Sequence, residues 1–258
     1  MQTLTEERYA RDNTAYWARR ADSYSVQHAL ELADGRARAW ERELGGRLRE
    51  AFPGRGPEGI SVLDAGCGPG FLSVVLSRLG CRVTAVDYTA SMLDEARRNA
   101  RGCGVRFVRM DAQELAFPDA SFDAVVSRNL TWNLPRPQRA YEQWARVLRP
   151  GGLLLNYDAN WYGYLHDEEL RRRFRDDRGN ATRLCARDVC LQGDPPAMER
   201  LAASAPLSRE SRPEWDRRVL GELGMRVEVD PGVYERVWSR EELVCQASTP
   251  LFGVIARR

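Results

Sequence analysis

From residue 5 to about residue 50, apolar and aromatic positions recur at mixed three- and four-residue spacings, with Tyr9, Tyr16, Trp17, Tyr24, Ala29 and Leu32 among them. That period predicts helices. Asp34-Gly35 breaks the pattern, "RARAWERELGGRLREAF" resumes it, and "PGRGPEG" at 53–59 reads as a loop. The pattern then alternates. "ISVLDAG" predicts a strand, "GFLSVVLSRLG" a helix closed by Gly80, "RVTAVD" a second strand, and "TASMLDEARRNA" a helix with Thr89 at its N-cap. "VRFVRMD" and "SFDAVVSRN" predict strands three and four. "PRPQRAYEQWARVLRPGG" predicts a helix with Pro135 or Pro137 near its start and a Pro-Gly-Gly stop, and "LLLNYDAN" a fifth strand.

Strands alternating with helices imply an α/β fold, a parallel sheet covered on both faces. The tail changes rhythm. The helix "RPEWDRRVLGELG" is followed by "MRVEVD" and "TPLFGVIARR", too close together for a full crossover, so they predict an antiparallel finish. Residues 160–212, charged and carrying Pro195-Pro196, read as a helical cap inserted after strand five. The expected organisation is a helical lid over 1–52 and a core over 53–258 that contains the cap.

Composition narrows the partners. Lys+Arg 39 against Asp+Glu 37 leaves +2, so there is no net field for nucleic acid or an anionic membrane. No run approaches the roughly 20 apolar residues of a membrane span. "MQTLTEERYARDNTAYW" carries acids where a secretory signal needs an apolar stretch. A cytoplasmic monomer or weak homodimer acting on a small molecule is expected. The six cysteines show no CxxC and the chain has two histidines, so no metal site is expected and the thiols read as free. Cys185 and Cys190 stay open as thiols for a soft substrate.

"SVLDAGCGPG" at 61–70 holds the chemistry. A Walker loop needs Gly-Lys-Ser/Thr, but Gly70 is followed by Phe71 and Leu72. A dinucleotide fingerprint needs G-x-G-x-x-G, but the pattern is G-x-G-x-G preceded by Asp64. A carboxylate at that strand end repels pyrophosphate and favours a ligand carrying an ammonium and a sulfonium, S-adenosylmethionine. Gly66 and Gly68 let the backbone approach the methionine moiety. Asp87, closing strand two, suits two ribose hydroxyls. Asp111 suits the adenine amino group, with the Ala112 N–H facing the ring and Tyr88 and Met92 sandwiching it.

Together "VLDAGCGPG", "AVDYTASML", "RMDAQELAFPDASFDAVVSRN" and "RVLRPGGLLL" resemble the successive motifs of class I S-adenosylmethionine-dependent methyltransferases, in particular the small-molecule type that includes ubiquinone and menaquinone methyltransferases. The resemblance implies a Rossmann-like, seven-stranded, mostly parallel sheet with the last strand antiparallel. It assigns Asp64, Gly66 and Gly68 to the methionine moiety, Asp87 to ribose and Asp111 to adenine. "YWARRADSY" resembles the lid helix of related enzymes, where Tyr16, Trp17, Arg20 and Tyr24 close over cofactor and acceptor; Arg20 would pair with the methionine carboxylate. Asn129, after strand four, would act through its backbone near the sulfonium.

The acceptor is not carried over. Trp17, Trp132, Asn160, Trp161 and Tyr162 are the expected pocket residues, because aromatics gathered beyond the carboxyl ends of strands suit a ring-bearing ligand. Either His28 or His166 could be a base, but both read first as surface residues and no histidine–carboxylate pair stands out. Tyr157 and Asp158 therefore become the expected proton-handling groups, and an easily ionised acceptor is favoured, thiol before phenol before amine. Two alternatives remain: a cysteine-assisted metalloid methyltransferase, and an S-adenosylmethionine-binding module without chemistry.

Overall fold

Two helices lead into the sheet of the computed structural model, which describes residues 5–184 and 194–258. Helix α1 (Glu6–Ala33) begins at Thr5, whose side chain accepts from the Arg8 N–H, with Glu6 and Glu7 in the first turn where the helix dipole favours acids. Gly35 turns the chain at φ 91° into α2 (Arg36–Ala51). Helix α2 does not stand off with α1: its Ala37, Trp40, Leu44 and Leu48 are buried in the core under the sheet.

Strand β1 (Ser61–Ala65) leads through α3 (Phe71–Arg78) to β2 (Arg82–Asp87), and through α4 (Ala90–Asn99) to β3 (Arg106–Arg109). Strand β4 (Phe122–Arg128), α5 (Pro137–Val147) and β5 (Leu148–Asp158) follow. The last sheet elements are β6 (Arg226–Asp230) and β7 (Phe252–Arg257). The sheet order is β3-β2-β1-β4-β5-β7-β6. β7 runs antiparallel to both β5 and β6, and the first five strands pair in parallel. Winding reverses between β1 and β4, and ligands bind beyond the carboxyl ends of strands at such a switch point.

Both faces of the sheet are buried, as its near-continuous apolar strands require. Alternate residues Val62, Val126 and Leu155 face α2 and α3. Their neighbours Leu63, Val125 and Leu154 face Tyr141 and Trp144 of α5. One boundary differs from the pattern: Pro-Gly-Gly does not stop the chain but lies inside β5. Leu148 is already extended and pairs with Phe122, the register then shifts, and Gly151 at φ 74° absorbs the bend.

The inserted segment holds α6 (Glu168–Arg183) and α7 (Pro195–Ala202), and α8 (Glu214–Glu222) then returns to the sheet. Two short helices, α9 (Val233–Val237) and α10 (Arg240–Cys245), connect β6 to β7. The cap rests on α1, where Tyr9, Tyr16, Trp132, Met198, Leu201 and Ala202 form one buried cluster. Cys185 and Cys190 lie outside the described residues. Among the described residues no helix is long and apolar enough to cross a membrane.

Candidate active site

A cavity of about 730 Å³ opens at the carboxyl ends of β1, β2 and β4. Its floor is the β1 loop (Asp64, Gly66, Gly68), the end of β2 (Asp87, Tyr88), Met92 of α4, Asp111 and Ala112 after β3, and Arg128 and Asn129 at the end of β4. Its roof is α1, which contributes Ala10, Thr14, Trp17, Tyr24 and His28. The volume is that of a site for one or two small molecules.

The β1 loop is tied down from beneath. The N–H groups of Gly66 and Cys67 both donate to the Val86 carbonyl at 2.9 Å. Gly66 (φ 69°) and Gly68 (φ 51°) adopt left-handed backbone, which side chains rarely tolerate. A Cβ on Gly66 would meet Leu130 at 2.4 Å, whereas on Gly68 the nearest atom is Tyr24 Cε1 at 3.8 Å. Gly66 is thus packed shut under Leu130, and Gly68 offers bare backbone to the cavity.

Asp87 spans loop and helix. Its Oδ2 accepts from the Gly68 N–H at 2.9 Å and its Oδ1 from the Thr89 N–H at 2.8 Å. Each oxygen keeps a further lone pair for a ligand hydroxyl. Thr89 stands at the N-cap of α4 without capping it through its side chain. Burial raises the Asp87 carboxyl above its usual range, against the pull of those two N–H groups. Asp64 is 1% exposed and accepts from Ser73 Oγ at 2.6 Å. Burial first, with the Asp87 charge adding to it and the Ser73 bond opposing, pushes its carboxyl up to about 7. A cationic ligand beside it would restore the charged form. Asp111 is held by the backbone and side-chain nitrogens of Gln113, at 2.8 and 3.0 Å.

Residues 63–156 match the family model described as "Methyltransferase domain". The chain is 35% identical over 174 residues to malonyl-[acyl-carrier protein] O-methyltransferase of Enterobacter lignolyticus, covering 63% of this chain and 66% of that one. It is 34% identical over 117 residues to ubiquinone biosynthesis O-methyltransferase of Methylocella silvestris, covering 45% and 46%. A crystal structure of an S-adenosylmethionine-dependent methyltransferase from Aquifex aeolicus superposes with a TM-score of 0.51 at 22% identity, covering 83% of this chain and 88% of that one. The chain carries a class I S-adenosylmethionine-dependent methyltransferase domain. It spans less than two thirds of the length of each of these two curated relatives.

The methyltransferase domain fits the family's cofactor on its own geometry. Gly68 presents open backbone, Asp87 retains accepting capacity at both oxygens, and two groups buried in the wall, His28 and Arg128, keep nitrogens with no hydrogen-bond partner among the described residues. Of the residues expected from sequence, the cavity brings together Trp17, Tyr24, Asp64, Gly66, Gly68, Asp87, Tyr88, Met92, Asp111, Ala112 and Asn129. Asn129 takes left-handed backbone at φ 57°; its N–H donates to the Tyr157 carbonyl and its own carbonyl accepts from Trp132 Nε1.

Other expectations need correction. Tyr157 and Asp158 do not line the cavity. The Tyr157 ring is buried against Trp40, its hydroxyl reaches Glu43, and burial followed by the Glu43 charge drives its pKa far up, which disqualifies it as a proton shuttle. Asp158 is fully buried and saturated. Its Oδ2 accepts from Arg212 Nη1 at 2.8 Å, Thr131 Oγ1 at 2.5 Å and the Trp132 N–H at 2.9 Å; its Oδ1 accepts from Trp161 Nε1 at 3.2 Å. Arg212 also grips Asp216 through Nε and Nη2, and Tyr141 donates to the same carboxylate. This is a structural knot.

Tyr16 and Arg20 also stand away from the cavity wall: Tyr16 is buried in the α1–cap cluster and Arg20 Nη1 donates to Ser23 Oγ at 2.8 Å. Trp132 and Tyr162 stack on each other at 5.0 Å and fasten the cap, and Asn160 lies against Gly163. Trp161 faces a separate, much smaller pocket with Trp40, Trp238 and Arg128. Sequence reasoning missed His28 as a cavity residue. It is 6% exposed, and burial first, with Arg128 and Arg36 adding and Glu31 opposing, lowers its pKa to about 4.

Proposed function

We propose that the domain transfers a methyl group from S-adenosylmethionine to a small-molecule acceptor under the roof formed by α1. The observation that carries this is the continuity of one cavity from Asp64 through Asp87 to Asp111, beneath a helix that contributes aromatic side chains. When bound, the cofactor supplies a methyl group already activated on a sulfonium. Asp87 accepts from the ribose hydroxyls, Asp111 from the adenine amino group, and Met92 and Tyr88 flank the base. Asp64, ionised by the positive methionine end, holds that end in place. Trp17, Tyr24 and α1 exclude water, which strips the nucleophile and aligns it.

The acceptor atom is read as an oxygen that ionises near neutral pH, a carboxylate or an acidic phenol, ahead of a thiol and an amine. Relatives named as O-methyltransferases support oxygen. Among the described residues, the one histidine that lines the cavity is a poor base, since burial lowers the His28 pKa to about 4. A pre-ionised nucleophile needs none. The metalloid reading needs converging thiolates. Cys67 is the described cysteine that lines the cavity, and burial first, with Asp64 and Asp87 adding, holds its thiol protonated.

Labelled S-adenosylmethionine, incubated with the protein and separate pools of carboxylates, phenols, thiols and amines, tests the reading. The expected result is S-adenosylhomocysteine formed with the oxygen pools. Binding of S-adenosylhomocysteine with no turnover in any pool would leave a binding module instead.

A further inference from the structure

Two buried nitrogen-bearing side chains meet under the second half of α1. His28 packs its ring between Tyr24, at 4.5 Å, and Phe71, at 5.7 Å, and neither ring nitrogen has a hydrogen-bond partner among the described residues. Arg128 lies over the Phe71 ring at 4.6 Å and the Trp40 ring at 5.2 Å. Its Nη2 donates to Glu31 at 2.6 Å, while Nη1 is buried and has no partner. A buried guanidinium donor left unsatisfied is costly, so its persistence needs a reason. Local charge does not supply one. Glu31 is shared with Arg36, which also reaches Glu242, so the two carboxylates are matched by two guanidiniums before any ligand arrives.

Both residues line the same cavity as Gly66 and Gly68. Arg20, the sequence's choice for an anion, points to Ser23 instead. We propose that His28 and Arg128 form a carboxylate-binding corner at the Gly66–Gly68 end of the cavity. Arg128 supplies a charged donor through Nη1 and His28 a neutral one through a ring N–H, so an anion gains two donors without a second cation being buried beside Arg128. The carboxylate has two sources, the methionine end of the cofactor and an acidic acceptor. The inference rests on the methyltransferase reading.

Calorimetry with two ligands separates the sources. S-adenosylhomocysteine carries the carboxylate; 5′-methylthioadenosine keeps adenine, ribose and sulfur but lacks the amino-acid end. The variants are His28→Phe, which keeps a ring between Tyr24 and Phe71, and Arg128→Lys, which keeps a cation for Glu31. If the carboxylate is the cofactor's, each variant loses about tenfold or more in S-adenosylhomocysteine affinity, the worth of a hydrogen bond to a charged group. Affinity for 5′-methylthioadenosine then stays within about twofold and shows that the variants fold. If it is the acceptor's, S-adenosylhomocysteine affinity holds, and butanoate binding to the S-adenosylhomocysteine-loaded protein falls about tenfold. Equal loss of both nucleosides, or no loss of either nucleoside or butanoate, overturns the corner. Wild-type protein that binds neither nucleoside overturns the methyltransferase reading beneath it.

Discussion

Two buried polar clusters lie near the carboxyl ends of β4 and β5, and they differ in one respect. Around Arg212, each of the three guanidinium nitrogens reaches Asp158, Thr131 or Asp216, and Asn156 and Tyr141 close the ring. Around Arg128 and His28, three nitrogens have no partner among the described residues. Both clusters bury charge, and both contain a carboxylate near an arginine. The donors separate them: around Arg212 the spare atom is an acceptor, Asn156 Oδ1, and the donor nitrogens are all engaged, so the cluster specifies how elements dock, whereas one with spare donors is shaped for something else. The sequence pointed at Asp158 for chemistry, and the geometry moves attention across β4 to Arg128.

The largest expected effect breaks the saturated side. Arg212→Met leaves Asp158 and Asp216 buried without their cation and should cost about 3–5 kcal/mol of stability. Urea unfolding measures it, with S-adenosylhomocysteine affinity within about threefold of wild type under native conditions. A loss of affinity matching the loss of stability would join the two clusters into one.

Asp87→Ala should give the opposite pattern. If Asp87 accepts from the two ribose hydroxyls, as proposed, its removal should cost about 2–4 kcal/mol of S-adenosylhomocysteine binding. The unfolding free energy should fall less, since the lost protein contacts are the Gly68 and Thr89 N–H bonds. Calorimetry showing unchanged affinity would remove Asp87 from the site.

His28 sharpens the comparison through pH. Its folded-state value near 4 lies below the ordinary 6.5, so between those values the unfolded chain binds the extra proton. Stability is therefore full above about 6.5 and drains as pH falls toward 4, by up to about 3 kcal/mol. His28→Phe should flatten this acid limb in urea titrations run from pH 4 to 7. An unaltered limb would mean that the imidazole is not desolvated.

Asp64 works the other way. Its folded value of about 7 exceeds the ordinary 3.8, so its contribution is present at low pH and is lost as pH rises through 7. A cation favours the ionised form, so S-adenosylmethionine should bind about tenfold more tightly at pH 8 than at pH 6. Asp64→Asn should remove that slope; a slope that survives the substitution places its origin elsewhere.

What was legible in the sequence was local. The strand–helix alternation and the Gly66–Gly68 loop depend on residues close in the chain, and Asp87 ends one strand while Asp111 lies two residues past another. The α1 stripe was legible too, since Ala10, Thr14, Trp17, Tyr24 and His28 recur at helical spacing; reading it through to the last turns would have put His28 under the roof. Asp158 was misplaced because its cation lies 54 residues further on. The aromatic run Trp161–Tyr164 was read as a pocket because density of rings does not say what they stack upon; Trp132 and the cap supply that answer.

The Arg212 knot also orders assembly. Strand β5 buries Asp158 at its carboxyl end, yet the guanidinium that neutralises it arrives only after the cap has been threaded. During synthesis the nascent β1–β5 half would have to hold that carboxylate on the neutral donors of Thr131 and Trp132, without its cation, or leave the end of β5 undocked. The parallel half of the sheet is therefore not a self-sufficient folding unit: a fragment ending before residue 212 should stay loosely packed at β5, and the carboxyl end of that strand sets only when residues beyond the cap are in place.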